Sequence, residues 1–276
     1  MNRESVIAAL VEHHSSQEYH PEDYYGCVVN ADGKYLGPYI PYIGKLYFET
    51  KSRLLIYAMA QNLNCAKQLI KSWLNGPDKG MLRQYRDIPH VHVHPYDSGH
   101  LKVIAALALN AYPMGGHKPS NNIDDLVAIT NFVKFSFYHE DEKGNRLDAN
   151  PPLDIYAVMW EKYSKYEVDL LQPNIIIGVG NDVTRALNRC LEGDKKHIII
   201  RVPFPGRLNL NARWIPKGRQ LVKTKDYDPA TDKAEMHALL SGTPDKRKAI
   251  HRAIETDWYY FREMKAFLSE KLARCV

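Results

Sequence analysis

Apolar runs of strand length recur along the chain, and sequences with helical periodicity stand between them. The apolar runs that predict strands lie at 53–60, 126–132, 174–179 and 197–202. Patterns with apolar residues three or four apart predict helices at 4–14, 64–74, 101–111, 152–171, 182–191 and 245–273. Apolar strands that alternate with helices indicate an α/β fold, a three-layer α/β/α arrangement with a four-stranded, mainly parallel sheet.

The organisation of the chain predicts one domain over residues 1–276, with its core at about 43–212. An N-terminal extension (1–42) and a helical C-terminal extension (233–276) flank this core. Three further stretches, 139–152, 223–233 and a basic stretch after Pro203, are rich in polar or turn-forming residues and predict loops.

Composition excludes several classes of protein. Hydrophobic residues make up 45% and charged residues 25%, which are ordinary globular values, and the net charge of +5 is compatible with a polyanionic partner. The four cysteines form no CxxC pair and suggest neither a zinc site nor an iron–sulfur cluster, and we expect no metal and no cofactor. Without a signal peptide or an apolar run long enough for a membrane span, we expect a cytoplasmic monomer with no membrane partner.

Polar residues follow the first two predicted strands directly. Gln61 and Asn62 come after the first strand and could hold a water molecule or a sugar, although Asn also favours the helix N-cap. Asn131 ends the second strand, where its amide could bond the Watson–Crick edge of a pyrimidine, or simply end the strand in a turn. Since parallel strands present their carboxyl ends at one edge of a sheet, these residues are candidates for a common site.

Two segments contain residues suited to nucleic acid. Tyr96, held between Pro95 and a glycine, could stack on a flipped base. In the stretch 201–211, Arg201 and Arg207 could bind phosphates while Phe204 and Leu208 could wedge into a base step; the alternative is an ordinary loop with an anchoring Phe.

A third segment contains alternating histidines, which would share one face of an extended chain. These are His90, His92 and His94. They could bind zinc, but no acidic or cysteine partner is near in the sequence, so a polar loop in which one histidine contacts phosphate is favoured.

Taken together, these segments resemble the uracil-DNA glycosylase superfamily over about residues 43–212. Met59-Ala-Gln-Asn-Leu63 is similar to the water-activating Gly-Gln-Asp-Pro-Tyr motif, and Thr130-Asn-Phe-Val-Lys134 to the Thr-Asn-Val-Val-Lys of the thermostable branch, whose Asn binds the base. Pro95 to Leu101 is similar to that branch's Pro-Phe-x-Gly-x-x-Gly-x-Leu, and Pro173 to Gly180 matches the strand before the last motif.

The resemblance implies roles for individual residues. It implies that Asn62 and Gln61 are catalytic, that Tyr96, Asn131 and Phe132 bind the base, and that double- or single-stranded DNA is the partner. The family's His-Pro-Ser is replaced by Val202-Pro-Phe, or by Phe204-Pro-Gly under a shifted alignment, so the motif histidine is absent. Arg201 or Arg207 could supply its charge.

The substrate follows from another departure from the family pattern. Leu63-Asn64 stands where strict uracil enzymes have the Pro-Tyr pair that excludes bulky bases. The resemblance therefore implies a monofunctional DNA glycosylase that removes a modified pyrimidine, such as hydroxymethylated or glucosylated cytosine of phage DNA, in antiviral defence. The alternatives are uracil excision repair, a catalytically dead DNA-binding module, and a different α/β enzyme such as a nucleoside hydrolase.

Overall fold

A mixed five-stranded sheet is the centre of the computed structural model, which describes residues 2–19, 38, 40–60, 98–113, 118–206, 209–224, 227–245 and 248–274. The strands are β1 (Tyr42–Ile43), β2 (Leu54–Ala58), β3 (Val127–Asn131), β4 (Tyr138–Glu140), β5 (Arg146–Asp148), β6 (Ile175–Val179) and β7 (Ile198–Val202). The sheet has the order β1-β3-β2-β6-β7, and β4 and β5 form a separate antiparallel hairpin. Strands β3, β2, β6 and β7 are parallel, and β1 pairs antiparallel to β3 at one edge.

Helices fill the connections between the strands. They are α1 (Arg3–Ser16), α2 (Gly99–Ala111), α3 (Ile123–Leu126), α4 (Ile155–Met159), α5 (Lys165–Leu171), α6 (Asn181–Cys190), α7 (Ile215–Val222), α8 (Pro229–Leu239) and α9 (Ala249–Ala273). Two π-helical turns, Trp160–Ser164 and Leu210–Trp214, join α4 to α5 and precede α7, and a 3-10 turn spans Tyr47–Glu49.

Side chains that alternate along the central strands bury both faces of the sheet. Leu54 and Ile56 of β2 belong to a cluster with α2, α8 and α9, whereas Leu55 and Tyr57 belong to a second cluster with α1, α4, α5 and α6. This burial on both sides explains why β2 and β6 are apolar along their whole length and why β3 is apolar from Val127 to Ile129. Among the described residues, helices therefore pack against both faces of the sheet.

The four predicted strands are confirmed within one or two residues at each end, and so are the helices at 4–14, 101–111 and 182–191. The sheet, however, has a fifth strand, β1. The sequence did not predict it, because a strand of two residues is too short to show a period. The predicted helix 152–171 begins at Ile155 and contains the π-helical turn, and the predicted helix 245–273 begins at Ala249. The predicted helix 64–74 lies outside the described residues.

Three predicted loops are partly regular structure. The stretch after Pro203 becomes helical from Leu210 onwards, and 139–152 contains most of the β4–β5 hairpin. Helix α8 begins inside 223–233, where the Asp228 side chain accepts a hydrogen bond from the Ala230 N–H at 2.9 Å. The helices that contain Pro216 and Pro229 were predicted as loops because proline often indicates a loop. Both prolines lie in the first turn of a helix, where proline is well tolerated.

Among the described residues, no helix is both long and apolar enough to cross a membrane.

Candidate functional site

The carboxyl edge of the parallel strands brings together the segments that follow β2 and β3. Ala58 pairs with Asn131 in the sheet register. The pairing continues past both strands, because the Phe132 N–H donates to the Ala58 carbonyl at 2.7 Å and the Val133 N–H to the Met59 carbonyl at 2.9 Å. The segment that leads towards residues 61 and 62 is thus fixed beside Asn131.

Asn131 is a nearly buried amide at this edge, with 5% of its surface exposed. Val127 and Ile129 of the same strand pack in the cluster with α2 and α9, so alternation directs the Asn131 side chain to that face of the sheet. Phe132 points to the other face, where its ring is fully buried against Tyr57, Tyr156 and Trp160. In this structure Phe132 therefore packs in the core behind Asn131.

Lys134 fixes the end of β3 from within the same motif. Its ammonium group is fully buried and donates to the Asn131 carbonyl oxygen at 2.6 Å and to Thr130 Oγ1 at 3.0 Å. The remaining partner is the Glu167 carboxylate, with both oxygens within 2.8 Å of Nζ. The backbone of Asn131 is therefore held by a charge-assisted hydrogen bond in a site that excludes water.

Glu167 joins this arrangement to the N-terminal helix. His14 Nε2 of α1 lies 3.0 Å from Glu167 Oε1, and the Tyr57 hydroxyl donates to Glu167 Oε2 at 2.9 Å. All of these groups are buried. We call Lys134, Glu167, His14 and Tyr57 the buried polar cluster.

Burial and pairing set the charge states of the buried polar cluster. Burial lowers the pKa of His14, which favours the neutral imidazole with its proton on Nε2 facing Glu167. Burial also disfavours the Glu167 carboxylate, but Lys134 and the hydrogen bond from His14 outweigh this and hold the pKa of Glu167 below its usual value. Burial lowers the pKa of Lys134, an effect that Glu167 opposes. The arrangement is a lysine–glutamate ion pair with a neutral histidine.

Two glycines allow the chain to turn closely from β6 into α6. A Cβ on Gly178 would lie 2.6 Å from Thr184 Oγ1, and this hydroxyl donates to the carbonyls of Gly180 at 2.8 Å and Gly178 at 3.0 Å. Gly180 has a φ of 98°, which favours glycine, and its N–H donates to the Val202 carbonyl at 2.8 Å. The turn is thereby tied to the end of β7, at the same sheet edge as Asn131.

The segment after β7 presents one aromatic ring to solvent on a fixed backbone. The Tyr260 hydroxyl donates to the Pro203 carbonyl at 2.7 Å, and Asn209 Nδ2 donates to the Phe204 carbonyl at 2.8 Å. The Phe204 side chain is nevertheless 53% exposed. Its ring lies over Gly206, since a Cβ there would be 2.5 Å from Phe204 Cε1. Phe204 is thus an exposed aromatic side chain on a backbone that Tyr260 and Asn209 hold.

A strongly basic stretch begins at the same strand end. Between residues 201 and 225 the chain has seven Lys or Arg residues and no Asp or Glu. Those in the described residues are all exposed: Arg201, Arg213, Lys217, Arg219 and Lys223. Because α7 and the π-helical turn before it are helical, most of these charges lie on one helical segment that follows Phe204 in the chain.

The Arg201 side chain points away from the face of the sheet to which the Asn131 side chain points. In β7, Ile200 and Val202 belong to the cluster with α2 and α9, so alternation directs Arg201 to the opposite face of the sheet. The two strands are also three inter-strand steps apart, about 14 Å. Arg201 and Asn131 therefore lie on opposite faces of the sheet, about three strands apart.

A histidine–aspartate pair lies beside the Phe204 segment and was missed by the sequence prediction. His100 Nε2 at the start of α2 is 2.9 Å from Asp257 Oδ2 of α9. Asp257 is buried and has non-helical φ and ψ angles of −119° and 25° inside α9. The pair lines a cleft of about 260 Å³ together with Pro205 and Arg252.

Several predicted site residues lie outside the described residues. They are Gln61, Asn62, Tyr96, Arg207, Leu208, His90, His92 and His94. The structure brings Asn131 and Phe204 to the same sheet edge as Met59 and Ala60. The roles of the predicted site residues outside the described residues stay predictions.

No protein-family model matches the chain, and no curated protein matches it.

Proposed function

We propose that the chain is a monofunctional DNA glycosylase with the three-layer α/β/α fold of the uracil-DNA glycosylase superfamily. The observation on which the proposal rests is Asn131, a nearly buried amide at the carboxyl edge of a parallel sheet whose backbone is held by Lys134 of the same motif. A side-chain amide on a backbone held in this way can offer a donor and an acceptor to a flipped base.

The exposed Phe204 and the basic stretch support DNA as the partner. Phe204 is an apolar side chain on a backbone fixed by Tyr260 and Asn209, which suits it to fill the gap that a flipped nucleotide leaves in the duplex. The surrounding Lys and Arg residues would neutralise phosphates on either side. On this proposal the chain binds DNA as a monomer in the cytoplasm.

Catalysis would occur between Asn131 and the segment after β2. The flipped base would stack on Tyr96 and bond to Asn131 while Asn62, assisted by Gln61, orients a water molecule at the anomeric carbon. As the glycosidic bond breaks, the base departs with the bonding electron pair, and water adds to the sugar cation; a proton of that water ends on the base or in solvent. Amides can stabilise and orient the water, but they do not take its proton as a carboxylate does, so we expect slow turnover.

The proposed substrate is a bulky modified pyrimidine, such as hydroxymethylated or glucosylated cytosine of phage DNA. The support is the sequence Leu63-Asn64, which lacks the tyrosine that narrows the pocket of strict uracil enzymes. Release of such a base would leave an abasic site in invading DNA, a defence function. Uracil excision is the alternative with the same chemistry.

The test is an abasic-site assay on matched duplexes that contain uracil, hydroxymethylcytosine or glucosylated hydroxymethylcytosine at one position. We expect alkali-sensitive breaks with at least one glucosylated or hydroxymethylated substrate, and their loss in Asn131→Ala and Asn62→Ala. Asn188→Ala, an exposed amide on α6, is the matched control and should retain activity. Breaks with uracil alone would change the substrate assignment, and DNA binding without breaks in any duplex would identify a non-catalytic DNA-binding protein.

A further inference from the structure

We propose that His237, His251 and Glu255 form a zinc site that ties α8 to α9. This site is separate from Asn131 and does not depend on the proposed glycosylase activity. Sequence spacing gives no hint of it, since its residues come from two helices.

The three side chains converge on one point of the α8–α9 contact. His251 and Glu255 are four residues apart on α9 and therefore lie on the same face, and His237 faces them from α8. One potential ligand atom from each residue lies within 4.8 Å of the other two. His237 Nε2 is 3.1 Å from Glu255 Oε1, and the two imidazole rings are stacked with their centroids 5.2 Å apart.

Two imidazoles and one carboxylate are a set of ligands that suits zinc, with water completing a tetrahedron. Ligand distances of about 2.0–2.1 Å would place the donor atoms about 3.4 Å from one another. The present separations need only side-chain rotation to reach this value. Such rotation is available, since the His237 and Glu255 side chains are 34% and 39% exposed.

Lys233 prepares the carboxylate for this role. Its ammonium group donates to Glu255 Oε2 at 2.8 Å, which orients the carboxylate and leaves Oε1 towards the histidines. Because Lys233 adds a positive charge close to the ion, we expect micromolar rather than tighter affinity.

The position of the site in α9 gives the ion a structural consequence. Asp257 and Tyr260, which contact His100 and the Pro203 carbonyl, follow Glu255 within five residues on the same helix. An ion that joins α8 to this part of α9 would stabilise the helix next to the Phe204 segment.

The experiment is a titration of the metal-free, full-length chain with zinc chloride, followed by calorimetry and by thermal unfolding. We expect one zinc ion per chain with an increase in Tm, and a tetrahedral cobalt spectrum when Co²⁺ replaces zinc. His251→Ala and Glu255→Gln each should raise the Kd at least tenfold and abolish the increase in Tm. His139→Ala, an exposed histidine of the β4–β5 hairpin, is the control and should bind as the original chain does.

Two results would overturn the proposal. One is absence of zinc binding to the original chain. The other is binding that survives in both His251→Ala and Glu255→Gln, which would place the ion elsewhere, for example at the histidines between residues 90 and 94. Since the substituted side chains are exposed, circular dichroism of each variant separates loss of the site from loss of the fold.

Discussion

The Lys134 ammonium group donates a 2.6 Å hydrogen bond to the backbone carbonyl of Asn131, three residues earlier in the chain. The same ammonium group pairs with Glu167 of α5, which in turn contacts His14 of α1. The proposed base-binding amide is thus supported by a motif residue and by two helices on the opposite face of the sheet.

Lys134→Met should lower the free energy of unfolding by about 3–5 kcal/mol, because it leaves the Glu167 carboxylate buried without its cation. Urea denaturation measures the change. Glu167→Gln added to Lys134→Met should recover part of the loss, since the unpaired charge is then gone. Lys165→Met, at an exposed position of α5, is the control and should stay within about 0.5 kcal/mol of the original chain. If Lys134→Met also lowers the free energy of unfolding by no more than about 0.5 kcal/mol, the ion pair does not stabilise the fold.

His14→Gln should flatten the dependence of stability on pH below about 6.5. Burial lowers the pKa of His14 from 6.5, so below that pH the unfolded chain binds a proton that the folded chain does not, and stability falls as the pH falls. Removing the group should reduce this slope by up to about 1.4 kcal/mol per pH unit. Glu167, whose pKa is also lowered, contributes a loss at still lower pH that remains in the variant.

The slope is measured by urea denaturation at a series of pH values. His139→Gln, in the exposed hairpin, should keep the original slope. An unchanged slope in His14→Gln would mean that His14 titrates alike in the folded and unfolded chains.

Phe204→Ala should weaken binding and base release on duplex DNA at least tenfold while affecting a single-stranded substrate much less. The reason is that a single strand has no partner base to separate, so the wedge has little to contribute. Stability should change by no more than about 0.5 kcal/mol, because the ring is more than half exposed. Leu153→Ala, which removes a 65% exposed apolar side chain from the turn before α4, is the matched control. Equal losses on both substrates would remove Phe204 from the role of wedge.

Arg219→Ala should reduce the slope of log Kd against log salt concentration by about 0.9 for duplex DNA, the value of one lost phosphate contact. Fluorescence anisotropy at several salt concentrations measures the slope, and the same change is expected for Arg207→Ala. Lys165→Ala, whose helix packs on the other face of the sheet, should leave the slope unchanged. If Arg219→Ala behaves like Lys165→Ala, the basic stretch does not contact the DNA backbone.

The sequence predicted those strands and helices whose apolar residues form a recognisable pattern within a short stretch of the chain. The strands 54–58 and 175–179 and the residues 127–129 are continuous apolar runs because helices cover them on both sides, and Asn131 is a polar residue that ends the third of these strands. The π-helical turn at Leu210–Trp214 and helix α7 were missed, because Pro203, Pro205, Gly206 and Pro216 together resemble a loop.

Contacts between distant residues had no comparable signal. Glu167 is a charged residue in the otherwise apolar stripe of Trp160, Tyr163 and Leu171, which indicates a buried partner but does not identify Lys134. His100 and Asp257 are 157 residues apart, and neither stands in a recognisable motif. Such pairs form because of the way in which the helices pack on the sheet. This packing leaves no periodic pattern of residues in the sequence.

The most direct test of the proposed activity is mass spectrometry of the bases released when the purified chain is incubated with DNA that contains glucosylated hydroxymethylcytosine. The account predicts that the intact modified base appears in solution, that an equal number of abasic sites forms in the DNA, and that Asn131→Ala releases none. If the original chain binds this DNA and DNA containing uracil or hydroxymethylcytosine, yet releases no base from any of them, the glycosylase proposal is wrong.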